Sequence, residues 1–175
     1  MSPSWGIGWS TDLRAIGIRV TKRRAQGEEF TIFVKEVEPR LSVALAAAYG
    51  VEAGREATAD ALEYAWAHWS EVREMENPGG YLYRVGQSAA RRYRRHGPLF
   101  PAVDQRDLPH VEPALPAALC ELTEAQRAAV VLVHVLEWTE REAATLLGVD
   151  RSTIRRHRDR GLAKLRAALE VTADA

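Results

Sequence analysis

The sequence lacks a second cysteine, a long apolar run and a net charge, and each of these absences excludes some classes of protein. Cys120 has no partner for an internal disulfide, which is typical of a protein in a reducing cytosol. The longest apolar run, residues 128–136, is interrupted by His134 and is too short to cross a bilayer. The N-terminus lacks the charged start and apolar core of a secretory signal. We therefore expect a cytoplasmic protein without membrane insertion.

Sequence motifs of catalysis and of metal binding are also missing. The five histidines are scattered without the spacing that metal ligands need, and there is no glycine-rich phosphate loop or nucleophile elbow. Cys120 has no base beside it in the sequence, and we interpret it as a small buried side chain. We expect no enzymatic activity, no metal and no cofactor.

The net charge of zero, from 24 basic and 24 acidic residues, conceals strongly polarised segments. Residues 84–96 hold five arginines and no acid, and residues 150–166 hold seven basic and two acidic residues. Residues 52–76 hold seven acidic residues against two basic ones. Two basic segments and one acidic segment indicate partners of both signs, which the total charge does not reveal.

Helical periodicity dominates both halves of the chain, and the alternating pattern of a strand is absent. Five prolines within residues 98–116 rule out a helix through the middle of the chain. We predict an all-α fold with two small helical domains, over 28–97 and 114–172, joined by a proline-rich linker over 98–113. The weak periodicity of residues 1–27 predicts a poorly ordered tail.

A helix-turn-helix unit is the clearest functional pattern in the second half. Thr123 and Thr139 begin two capping boxes, and Gly148 stands where a helix would end in a left-handed turn. These signals predict a short helix near 140–147, a three-residue turn and a long helix near 151–170. The start of the long helix carries side chains that suit phosphates and base edges: Arg151, Ser152, Thr153, Arg155 and Arg156. An ordinary helical hairpin with a solvated basic face is the alternative.

Both halves of the sequence resemble one protein family. The second half resembles region 4 of sigma-70-type RNA polymerase sigma factors, in the extracytoplasmic-function group, and the first half resembles region 2 of the same group. The matching stretches are residues 30–41, 60–66, 77–92, 119–132, 138–149 and 152–166. The resemblance implies a sigma factor that binds core RNA polymerase and promoter DNA and directs promoter-specific transcription initiation. It also allows an anti-sigma factor as a partner.

The resemblance assigns roles to individual positions. The helix after the turn at 74–80 would engage the −10 promoter element with aromatic and basic side chains, Tyr81, Tyr83, Arg84, Ser88, Arg91 and Arg92. The recognition helix would read the −35 element in the major groove through Arg155, Arg156 and Arg160. The acidic helix over 56–69 would dock on the polymerase with Glu56, Asp60 and Glu63.

Several positions depart from the pattern of the family. Arg158 stands where the family has an apolar residue behind the recognition helix, so we expect its guanidinium to reach solvent or to pair with Asp159 or a nearby glutamate. The acidic patch before Trp66 is reduced to Glu56 and Asp60. A helix-turn-helix regulator that acts without core polymerase therefore stays open as the alternative function.

Overall fold

The computed structural model describes residues 13–93 and 114–173, and every regular element in those ranges is helical. The helices are α1 (Leu13–Tyr49), α2 (Val51–Ala67), α3 (Trp69–Val72), α4 (Pro78–Tyr93), α5 (Leu115–Glu121), α6 (Glu124–Val130), α7 (Glu140–Leu147) and α8 (Arg151–Ala173). A π-helical segment, Val131–Val135, extends α6. The predicted all-α fold is confirmed. The predicted linker, residues 98–113, lies outside the described residues.

The first helix is longer than the sequence pattern predicts. It begins at Leu13, so residues 13–27 are helical, where we expected a poorly ordered tail. A weakly periodic segment can extend a helix that the following residues have already formed, because nucleation is the costly step and propagation is not. The helix passes through Pro39 and ends before Gly50, whose φ of 91° favours glycine.

Close helix crossings hold α1, α2 and α4 together. The buried face of α2 is made of small residues, including Ala57, Ala61 and Ala65. A Cβ atom at Gly54 would lie 2.5 Å from the backbone of Ala46, and one at Gly86 would lie 2.6 Å from Cδ1 of Leu45. Because glycine alone permits these approaches without displacement, the two glycines set how closely α2 and α4 lie against α1.

Local capping determines where the helices of the second half begin. Thr123 and Gln126 form a capping box at the start of α6, and Thr139 and Glu142 form one at the start of α7. Both predicted boxes are confirmed. After the π-helical segment the chain turns at Glu137, whose φ is 56°. This turn directs the chain from α6 into α7.

One apolar cluster joins the two halves of the chain. Buried side chains of α1, α2 and α4 pack in it with residues of the second half, Ala128, Ala129, Leu132, Ala143, Ala144, Leu146 and Ile154. The buried guanidinium of Arg127 crosses the same boundary: Nε donates to the carbonyl of Ala48 at 3.1 Å, and Nη1 donates to that of Leu119 at 3.0 Å. The two halves therefore share a core.

Candidate nucleic-acid interface

The helix-turn-helix unit consists of α7, a turn at Gly148 and α8. Helix α7 has the predicted bounds, and α8 begins at the predicted residue and ends three residues beyond the predicted end. Gly148 has φ 64° and ψ 39°, and its N–H and that of Val149 donate to the carbonyls of Thr145 and Ala144. Ile154 is 1% exposed and anchors the start of α8 in the core. This packing turns the opposite face of α8 outward.

The side chains predicted to contact the −35 element lie together on that outward face. Arg151, Ser152, Arg155, Arg156 and Arg160 are exposed, and Thr153 is half-buried. Nη2 of Arg156 donates to Oγ1 of Thr153 at 3.3 Å. The start of α8 therefore presents a continuous surface of guanidinium and hydroxyl groups.

Glu140, the first residue of α7, binds three arginines of α8. Its carboxylate accepts hydrogen bonds from Nε of Arg151 at 3.2 Å, from Nη2 of Arg155 at 3.4 Å and from Nη1 of Arg158. Burial alone would raise the pKa of Glu140, but hydrogen bonds from Arg155 and Arg151 and the charges of Arg155 and Arg158 outweigh burial and lower it. Glu140 is therefore ionised at neutral pH.

Sequence reasoning missed Glu140 because its partners are distant in the chain. They lie 11, 15 and 18 residues further on, across the turn at Gly148. Ion pairs that follow from helical spacing join residues three or four positions apart. The one available signal was Arg158 itself, an arginine in need of a partner.

Arg158 pairs as the sequence analysis predicts. Its Nε and Nη2 donate to Oδ1 of Asp159 at 2.9 and 2.8 Å, and its Nη1 donates to Glu140. The Arg158 side chain is 21% exposed. An ion pair between Arg158 and Glu140 therefore joins the two helices of the unit.

Two basic residues of α4, Arg84 and Arg91, bind groups in the second half of the chain. Nη2 of Arg84 donates to the carbonyl of Gly148, in the turn between α7 and α8, at 3.1 Å. Nη2 of Arg91 donates to Oε2 of Glu124 at 3.1 Å, and the hydroxyl of Tyr49 donates to the same oxygen at 3.0 Å. Two of the predicted −10 contacts therefore have partners in the second half of the chain.

Asn77 adds a further link at the start of α4. Its Nδ2 donates to the carbonyl of Thr145 at 2.6 Å, and its Oδ1 accepts from the N–H of Gly80 at 2.9 Å. The sequence indicated only a turn at Asn77, because its partner Thr145 lies 68 residues away. Ser88 stays exposed, and its Oγ donates to the carbonyl of Arg84 at 3.4 Å.

The two tyrosines predicted to stack on bases lie in different environments. Tyr81 is half-buried, and its hydroxyl lies 2.9 Å from that of Tyr64. Tyr83 is 3% exposed, and burial raises its pKa. Residues two apart point to nearly opposite sides of a helix, so α4 cannot expose both rings. Tyr83 belongs to the shared core and does not reach a base in this arrangement.

The acidic face of α2 is partly engaged in internal contacts. Glu56 and Glu63 are exposed and lie two turns apart on one side of the helix. Asp60 lies between them and accepts hydrogen bonds from the hydroxyl of Tyr93 at 2.9 Å and from Nη2 of Arg92 at 3.3 Å. Asp60 therefore connects α2 with α4, whereas Glu63 is exposed and Glu56, among the described residues, is paired only with the exposed Arg55 of its own helix, at 3.6 Å.

Cys120 is exposed on α5, although we interpreted it as a buried side chain. The buried positions of this part of the chain are Ala118 and Leu122, which pack with Val130 and Leu165. Cys120 points away from this small cluster. Local apolar composition did not reveal which face of the short α5 is covered.

No metal site or membrane-spanning helix is found in the ranges that the structure describes. Among those residues, no group of three or more histidine, cysteine, aspartate or glutamate side chains could hold a metal ion. In the same ranges, no helix is both long and apolar enough to cross a membrane.

The comparisons with known proteins agree with this geometry. Residues 113–165, which hold α5, α6, α7 and most of α8, match the family described as sigma-70, region 4. Among solved structures, the chain is similar to the sigma factor RpoE of Bartonella quintana, in its complex with the anti-sigma factor NepR. The identity is 19%, the TM-score is 0.53, and the match covers 82% of this chain and 98% of that one.

The region 4 match confirms the resemblance that the sequence analysis found in the second half. The similarity to the solved sigma factor is one of fold, and it extends into the first half. A search of curated proteins finds no match to the sequence.

Proposed function

We propose that this chain is a sigma factor of the sigma-70 type, which binds core RNA polymerase and directs promoter-specific transcription initiation. One observation carries the proposal: the segment that matches region 4 is folded as a helix-turn-helix unit whose second helix exposes arginines. Guanidinium groups donate paired hydrogen bonds to guanine edges and to phosphates, so the exposed start of α8 suits a major groove.

The −35 element would be bound by the exposed start of α8. The contacting side chains would be Arg151, Ser152, Thr153, Arg155, Arg156 and Arg160. They lie in the N-terminal part of the second helix, which is the part that contacts base edges in helix-turn-helix proteins.

The −10 element would be bound by α4 after a rearrangement. Arg84 and Arg91 have partners in the second half of the chain, and Tyr83 is buried. Phosphates must therefore replace the carbonyl of Gly148 and the carboxylate of Glu124 before α4 can bind DNA. Ser88 and Arg92 would add phosphate contacts, and stacking on Tyr81 would contribute about 1–3 kcal/mol per base.

The polymerase would be bound by the acidic face of α2. Glu56 and Glu63 are the exposed carboxylates of this face, and Asp60 would act by holding α4 in place. We place this activity in the cytoplasm, where the polymerase works. Because the solved relative is bound to an anti-sigma factor, we also propose a partner of that kind for this chain.

Reconstituted transcription tests the proposed function. The full chain, added to core RNA polymerase, should yield transcripts with defined start sites from a library of genomic fragments. Combining Glu56→Lys with Glu63→Lys should lower both core binding and transcript yield by about tenfold, because each substitution reverses a charge on the docking face. The matched control combines Glu121→Lys with Glu170→Lys, which changes two exposed glutamates elsewhere by the same charge and should leave core binding intact.

A chain that neither co-purifies with core polymerase nor yields a transcript on any fragment would contradict the proposal. Sequence-specific DNA binding under those conditions would identify the alternative, a helix-turn-helix regulator that works without core polymerase. Equal loss in the control pair would show that total charge matters and that the docking surface lies elsewhere.

A further inference from the structure

We infer that Glu140 is a positioning residue that determines the sequence specificity of α8: it holds Arg151, Arg155 and Arg158 and leaves Arg156 and Arg160 to contact bases. The inference rests on the proposed DNA binding by α8. It goes beyond that proposal because it divides the five arginines of residues 151–160 into two groups with different tasks.

The first group is gathered around one carboxylate. Glu140 Oε2 accepts from Arg151 at 3.2 Å and from Arg155 at 3.4 Å, while Oε1 accepts from Arg158. The Glu140 side chain is only 15% exposed. Arg158 is bound on its other side by Asp159, so its guanidinium has carboxylate partners at both ends. The three guanidiniums are therefore oriented before DNA arrives.

The second group lies on a neighbouring face of the helix. Arg156 and Arg160 are four residues apart, so they stand one above the other on α8, and both are exposed. The bond of Arg156 to the hydroxyl of Thr153 is 3.3 Å long. Neither arginine forms an ion pair with a carboxylate of the described residues. Among the arginines of residues 151–160, these two are therefore the ones that can turn to a base edge without breaking an ion pair.

The division has a consequence for DNA binding. Phosphate contacts supply affinity on any sequence, whereas base contacts supply discrimination. A carboxylate that neutralises part of the first group weakens its attraction to phosphates, and its charge repels the backbone. Glu140 should therefore lower binding to random DNA and leave the base contacts of Arg156 and Arg160 intact, which raises the ratio of specific to nonspecific binding.

The test is to replace Glu140 with glutamine and to measure binding to two duplexes. The wild-type full chain, alone and with core polymerase, first selects its preferred sequence from random duplex DNA. For Glu140→Gln, affinity for a scrambled duplex should rise several-fold, with a steeper salt dependence. The ratio of affinities for the selected and scrambled duplexes should fall about tenfold. A residue with a purely structural role would lower both affinities together.

Two further variants keep the result interpretable. Glu140→Asp retains the charge on a shorter side chain, so affinity for the scrambled duplex should stay near that of the wild type while discrimination falls. Glu170→Gln removes the same charge from an exposed position near the far end of α8 and should leave discrimination unchanged.

Unchanged discrimination in both Glu140 variants, or an equal loss in Glu170→Gln, would overturn the inference. If the wild-type chain selects no sequence, alone or with core polymerase, then the proposed DNA binding is itself wrong. If instead the wild type selects a sequence and the Glu140 variants discriminate as well as it does, only the inference about Glu140 is wrong.

Discussion

Arg127 is the largest fully buried side chain among the described residues, although a charged residue is rarely found in a core. Its guanidinium satisfies backbone carbonyls of Ala48, near the end of α1, and of Leu119, in α5. The last carbonyls of a helix have no partner within the helix, so a buried donor supplies what water would supply at the surface. The sequence gives no sign of this role, because both acceptors are main-chain atoms of distant residues.

Replacing this guanidinium should destabilise the whole chain. Arg127→Met keeps most of the volume but removes the side-chain donor from the carbonyl of Ala48 and one of the two donors from that of Leu119, and we expect a loss of about 3 kcal/mol in the free energy of unfolding. Urea denaturation measures the change. Arg156→Met, the same substitution at an exposed site, should change the free energy of unfolding by less than about 0.5 kcal/mol. Similar losses in the two variants would show that the hydrogen bonds of the Arg127 guanidinium do not contribute to the free energy of unfolding.

At the scale of single helices, local signals determine the ends of the functional unit. The capping box at Thr139 and the left-handed Gly148 limit α7 to the predicted residues, since both act within a few positions. The bounds of this unit could therefore be predicted from sequence. The sequence did not predict the helical conformation of residues 13–27 or the π-helical segment Val131–Val135. Helix extension and a widened turn depend on neighbouring elements more than on a local motif.

The capping box of α7 should make a measurable contribution to stability. The hydroxyl of Thr139 accepts from the N–H of Glu142 at 3.2 Å, so Thr139→Ala should lower the free energy of unfolding by about 1 kcal/mol. Thr145→Ala is the matched control, because it makes the same substitution inside the same helix, where alanine is the better helix former. Thermal unfolding should distinguish the two. A control as unstable as Thr139→Ala would contradict a capping role.

At the scale of the whole molecule, the two predicted domains pack against each other and share a core. Glu124 lies at this boundary and accepts from Tyr49 of α1 and Arg91 of α4. Burial and the adjacent Glu124 carboxylate raise the pKa of Tyr49 to about 12, so the hydroxyl remains a donor at neutral pH. Sequence periodicity gives each helix its apolar face but does not say which apolar faces meet across a proline-rich segment.

Weakening this boundary should favour a more open molecule. Glu124→Gln removes the charge that attracts Arg91 and the Tyr49 hydroxyl. Since Arg91 is 59% exposed, we expect a loss of only about 1 kcal/mol, which is roughly a fivefold change in the ratio of open to closed forms. Small-angle scattering should show a larger radius of gyration. Glu121→Gln, at an exposed position of α5, is the control and should leave the radius unchanged. A radius that is equal in both variants would contradict a closing role for Glu124.

Several links across the boundary end on main-chain atoms. Asn77 donates to the carbonyl of Thr145, Arg84 to that of Gly148, and Arg127 to that of Ala48. Every residue type has a carbonyl, so substitutions at the exposed Thr145 leave its bond in place, whereas most substitutions of a donor remove one. Gly148 is constrained separately by its left-handed φ of 64°, and Ala48 by its complete burial. Mutational tolerance should therefore be asymmetric. The donors Asn77, Arg84 and Arg127 constrain the sequence, while a position such as Thr145 can vary without loosening the joint.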